Sequence, residues 1–110
     1  MSPFSWLIMG HLVGDFLFQN RWMAERKRYD LLALALHSLI YTVAVGLFSL
    51  GFGGLSISQV LVLFLSHFFL DKRFFVEWWT KNITDSSETW ISIVVDQTFH
   101  LLVLVLIVHI

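Results

Sequence analysis

Seven His and Asp side chains, His109 at the end of the last stretch aside, lie in stretches of sequence that are otherwise apolar: His11, Asp15, His37, His67, Asp71, Asp96 and His100. This constrains the chain more than any other feature. A carboxylate at the centre of a membrane-spanning helix costs roughly 2.5–3.5 kcal/mol on insertion scales. Three such groups facing lipid would not be tolerated in a chain of 110 residues. They must turn inward and be paired, protonated or bound to a cation.

The apolar stretches run over residues 4–19, 31–50, 58–71 and 90–110. A spanning helix needs about 20 residues, with a lower limit near 17. The second and fourth stretches meet that length, and the first and third need flanking residues or a thinned bilayer. The chain is 57% apolar and 14% charged, against about 45–50% and about 25% in soluble domains. These features predict an all-α integral membrane protein, a single domain over residues 1–110, with about four transmembrane helices in an antiparallel bundle.

Arg21, Arg26, Lys27 and Arg28 fall in loop 20–30, and Lys72, Arg73 and Lys81 in loop 72–89. The Gly51-Phe52-Gly53-Gly54 turn and the two ends carry no Lys or Arg. The positive-inside rule therefore puts both basic loops in the cytoplasm and both termini outside, in a bacterial inner membrane. Trp22, Trp78, Trp79 and Trp90 fall at the same inner boundary, and residues 74–79 read as a short interfacial helix. The N-terminus lacks a basic n-region, so the first stretch is expected to be retained as a helix. No basic stripe suits a phosphate backbone, which excludes nucleic acid as a partner. With no Cys there is no disulfide framework and no thiolate metal site.

The polar groups are ordered. His11 and Asp15, His67 and Asp71, and Asp96 and His100 are each four residues apart, so each pair shares a helix face. On inward-running helices one and three the His comes first. On outward-running helix four the order reverses, which puts every His deep and every Asp nearer the cytoplasm. His37, six residues into its helix, lies at a similar depth, about 9 Å in at the usual rise. Imidazole mixed with carboxylate suits a divalent transition metal, zinc first, with iron and manganese as alternatives. All seven residues are candidate ligands. Asp15 and Asp96 are also the candidate catalytic bases. Gln19, Tyr41 and Gln97 are expected to hydrogen-bond to the ligands from behind, as are Ser38 and Ser66. Interhelical hydrogen bonding alone is the competing explanation. Asp71, beside Lys72 and Arg73, also reads as a solvated interface residue, and His109 as outside the site. Gly10 and Gly14 form a small-residue pair suited to close helix packing around His11. The Asn82-Ile83-Thr84 sequon reads as chance on a cytoplasmic loop.

The segments His11-Leu-Val-Gly-Asp15-Phe16-Leu-Phe-Gln19, Trp22-Met23-Ala24-Glu25-Arg26-Lys27, His67-Phe-Phe-Leu-Asp71 and Asp96-Gln97-Thr-Phe-His100, with His37, resemble a family of small bacterial and phage membrane proteins catalogued as a domain of unknown function. The resemblance covers nearly the whole chain and implies the four-helix architecture without supplying a reaction. The pattern is similar, more loosely, to inner-membrane proteins described as metal-dependent hydrolases. Three functions follow as expectations. The first is a metal-dependent hydrolase acting on a lipid or lipid-linked substrate near the cytoplasmic face. The second is a non-enzymatic accessory or phage modulator that binds a membrane-protein partner. The third is a proton or ion conductor. A thin bundle also suits a homo-oligomer.

Overall fold

Four long helical segments form a ring, α1 (Pro3–Leu12) with the turn that extends it, α3 (Leu31–Ser49), α4 (Ile57–Asp71) and α6 (Thr89–His109). In it α1 and α4 each pack against both α3 and α6. The computed structural model describes residues 1–27 and 29–110; Arg28, one of the expected loop cations, lies outside the described residues. Two short helices, α2 (Arg21–Arg26) and α5 (Phe74–Asn82), lie in the basic connections. No strand occurs among the described residues.

The helix starts are written locally. Ser2 caps α1 through the Ser5 N–H with Pro3 in the first turn, where its missing donor costs nothing. Asp30 caps α3 through the N–H groups of Leu32 and Ala33. Ser56 and Gln59 form a reciprocal capping box on α4. Between α3 and α4 the chain turns through Gly53 and Gly54, at φ 110° and 90°, a region open mainly to glycine.

The ring is layered. Leu7, Val45, Leu63, Leu104 and Ile107 are buried in one apolar cluster with Tyr41. Beyond it the same helices bury His11, His37, His67 and His100. Along α1 and α4 the apolar layer comes first, and along α3 and α6 the His comes first, so successive long helices run antiparallel. The Gln59 side-chain amide bonds the Ile107 carbonyl at 2.9 Å, tying the start of α4 to the end of α6. The outward faces are apolar: Leu12, Leu39, Leu47, Leu65, Leu102 and Leu106 are all exposed.

Two segments are long and apolar enough to cross a membrane: Leu31–Phe52, with mean hydropathy 2.1, and Thr89–His109, with 2.3. The other two are shorter. Helix α4 has 15 residues. The first segment, read from sequence as one helix over 4–19, is α-helical for 10 residues and then widens into a five-residue π turn, Val13–Leu17. There the Phe18 N–H reaches back to the Val13 carbonyl at 3.1 Å. Helix α5 begins at Phe74 as expected and extends to Asn82.

Gly10 and Gly14 both face α3. A Cβ on Gly10 would lie 2.7 Å from the Val45 Cα, and one on Gly14 3.0 Å from the Tyr41 Cα. Gly10→Ala is therefore expected to destabilise the bundle by about 1–3 kcal/mol through overpacking against backbone. Gly46→Ala, where an added Cβ meets nothing within 4 Å, is expected to be neutral or to stabilise by about 0.5–1 kcal/mol. Denaturant unfolding of the purified variants checks the pair. Equal effects at the two sites would contradict the packing.

Candidate metal centre

The π turn places the first ligand. Asp15 lies at its centre, and the wider turn shifts its side chain around the axis relative to an α-helical register. Its Oδ1 reaches His37 Nε2 at 3.0 Å and His67 Nε2 at 3.2 Å, on α3 and α4. Asp71, the last residue of α4, brings Oδ2 to 2.9 Å from His37 Nε2 and 3.5 Å from His67 Nε2. Four donor atoms from three helical segments thus converge. Four ligands on a tetrahedron with bonds of about 2.0–2.1 Å are separated by roughly 3.3–3.4 Å, close to these spacings. The group Asp15, His37, His67 and Asp71 is positioned to hold a metal ion.

The proton count supports that assignment. His37 Nε2 faces two carboxylate oxygens, and so does His67 Nε2. One N–H cannot serve both well. Asp71 Oδ2 lies within ion-pair distance of His37, His67 and Lys27, yet accepts no well-aligned hydrogen bond among the described residues. His37 Nδ1 is likewise buried without a partner among the described residues. Leaving buried polar atoms unpaired costs about 1–3 kcal/mol each; a shared cation satisfies the converging atoms together.

A second group, Asp71, Asp96 and His100, adjoins the first through Asp71. His100 Nδ1 donates to the Asp96 backbone carbonyl at 2.7 Å, and its Nε2 lies 3.2 Å from Asp71 Oδ1.

His11 falls in neither group. Gln97 Oε1 accepts from its Nε2–H at 2.7 Å, and the Tyr41 hydroxyl donates to its Nδ1 at 2.7 Å. Its approach to Asp15 is 3.9 Å. His11 and Asp15, expected to act together, remain 3.9 Å apart but make their shortest contacts with different neighbours. Gln97 also donates to Asp96 Oδ2 at 3.3 Å, and Tyr41 stacks on His67 with ring centroids 3.7 Å apart. Ser38 Oγ lies 3.4 Å from His67 Nδ1. Ser66 bonds the Leu63 carbonyl instead. Gln19 is half-buried, its Oε1 unpaired among the described residues. Asp71 is 1% exposed, so it is an interior group rather than a solvated one. His109 sits at the far end of α6.

Two residues at the site carried no sequence signal beyond loop charge. Lys27, just after α2, brings Nζ to 3.0 Å from Asp71 Oδ2. Arg73 sits in left-handed backbone at φ 63° between α4 and α5. It bonds Ser92 Oγ and brings Nη1 to 3.8 Å from Asp96 Oδ2. Arg73 and Ser92 also line an open cavity of about 410 Å³ with Glu77, Thr80 and Glu88.

The fold and the site define a class, an all-helical bundle with a buried His/Asp cluster able to hold a metal ion. A family model described as "Protein of unknown function (DUF3307)" matches residues 4–110, and the chain belongs to that family. No curated protein and no solved structure matches it.

Tyr41→Phe removes the donor to His11 Nδ1 and leaves a buried ring nitrogen unpaired. A loss of about 1–3 kcal/mol in unfolding free energy is expected, measured on the purified variant against wild type. No loss would show that His11 is not held through Tyr41.

Proposed function

We propose that this chain is a four-span membrane protein that binds a divalent transition metal at Asp15, His37, His67 and Asp71, and that it uses the ion to hydrolyse a lipid or lipid-linked substrate at the cytoplasmic face. The observation that carries the reading is the convergence of two imidazoles and two carboxylates at 2.9–3.5 Å inside an apolar bundle. Zinc suits this donor set best, with iron and manganese next.

The inside-out surface supports the membrane reading. Leucines face outward while His and Asp are buried. Fifteen-residue α4 rises about 22 Å and needs a locally thinned bilayer. The basic connections, with α2 and α5, then lie on the cytoplasmic side. The chain has no Cys, so single cysteines report topology directly. Lys81→Cys is expected to be shielded from an impermeant thiol reagent in intact cells, and Ile57→Cys to be labelled. The reverse pattern would invert the topology.

A bound ion lowers the pKa of its water toward neutrality and polarises an ester or phosphoester. Asp15 is committed to the ion. Asp96 lies outside this ligand group, one side chain from the Arg73 cavity, and with only the first group occupied would be the carboxylate placed to act as base. Purified protein is expected to contain metal that is lost in both His37→Gln and His67→Gln, and to cleave a lipid ester or phosphoester in a chelator-sensitive reaction. Absence of metal from wild type after reconstitution would refute the centre.

A second reading is a non-enzymatic accessory in which the ion staples the bundle. The close burial of the cluster favours it, since none of its four residues is more than 3% exposed. Metal without turnover, and with unfolding at lower temperature after chelation, would select it. The apolar layer at Leu7, Val45, Leu63 and Leu104 disfavours a conductor through the monomer.

A further inference from the structure

The geometry points to a second metal ion at Asp71, Asp96 and His100, with the Asp71 carboxylate bridging the two ions. This rests on the proposed occupancy of the first group and extends it.

The two oxygens of Asp71 serve different neighbours. Oδ2 is turned toward His37 and His67, and Oδ1 toward His100. His100 fixes its own tautomer: with Nδ1–H donated to the Asp96 carbonyl at 2.7 Å, the neutral ring carries its lone pair on Nε2. That lone pair faces Asp71 Oδ1, another acceptor, at 3.2 Å. Asp96 Oδ1 is a third buried acceptor, and neither it nor His100 Nε2 has a hydrogen-bond partner among the described residues. One donor atom from each of Asp71, Asp96 and His100 lies within 4.8 Å of the others. His100 Nε2 and Asp71 Oδ1 are two buried acceptors facing each other and need a cation or an added proton, and Asp96 Oδ1 lies beside the same ring, 3.7 Å from Nδ1.

Each group also has a cation of its own at the rim. Lys27 leans on Asp71 Oδ2 at 3.0 Å, and Arg73 lies 3.8 Å from Asp96 Oδ2. Both come from the basic connections. Two divalent ions then leave the three carboxylates nearly balanced. Carboxylate-bridged pairs hold their ions about 3.5–4 Å apart and clamp the attacking and leaving oxygens of a phosphoryl or acyl centre. In this arrangement Asp96 holds the second ion rather than acting as a free base.

The test is Mn²⁺ loading of metal-depleted protein in detergent, with bound metal counted after desalting and its electron paramagnetic resonance recorded. Wild type is expected to hold about two ions per chain with an exchange-coupled spectrum. His100→Gln and Asp96→Asn are each expected to hold about one, with an isolated-ion spectrum. The two variants back each other should one fail to fold, as judged by circular dichroism and gel filtration. One ion in wild type, unchanged in the variants, would overturn the second site and leave the first standing. Coupled ions retained in the variants would also overturn it. No bound ion in wild type with Mn²⁺, Zn²⁺ or Fe²⁺ would remove both sites.

Discussion

Compensation of buried carboxylate charge governs this structure. Asp15 and Asp71 have been taken out of water into an apolar bundle, where an isolated ion pays several kcal/mol. Every nearby feature bears on that cost. Two imidazoles from α3 and α4 meet both carboxylates, Lys27 reaches in from the connection after α2, and the remaining lone pairs converge where a cation fits. A metal ion resolves the arrangement more completely than protons can, because one ion satisfies four donors at once.

The helices are arranged to deliver those groups to one depth. Reversal of the His/Asp order between α4 and α6 is what antiparallel helices need to build a single layer. The π turn carries Asp15, whose shortest contacts are to His37 and His67. His11 in turn links Tyr41 to Gln97 and so to Asp96, which fixes α1 against α3 and α6. Gly10 and Gly14 let α1 approach α3 closely enough for these bonds to form. Packing and chemistry are therefore one problem here.

Much of this was legible in the sequence. The boundaries of α3, α4 and α6 follow closely from the apolar runs, with the glycine turn between α3 and α4. Spacing combined with chain direction brings all seven His and Asp to one zone, but does not divide them into the group of Asp15, His37, His67 and Asp71 and the group of Asp71, Asp96 and His100. The π turn was not legible, since Val13–Leu17 differs from a helical run only through contacts made in three dimensions. The diversion of His11 to Tyr41 and Gln97 was hidden as well. The burial of Asp71 was masked by its charged neighbours Lys72 and Arg73. Lys27 and Arg73 read as topology signals, and nothing in their spacing distinguishes a cation that reaches inward from one that stays in solvent.

The most direct test of a metal centre is X-ray absorption at the zinc edge of reconstituted protein in detergent. In the His100→Gln background, which leaves only the first group its imidazoles, scattering from about two imidazole rings is expected, with oxygen ligands at about 2.0–2.2 Å, and loss of one ring when His67→Gln is added. An ion surrounded by water oxygens alone, with no imidazole scattering and no change in the variant, would contradict that centre.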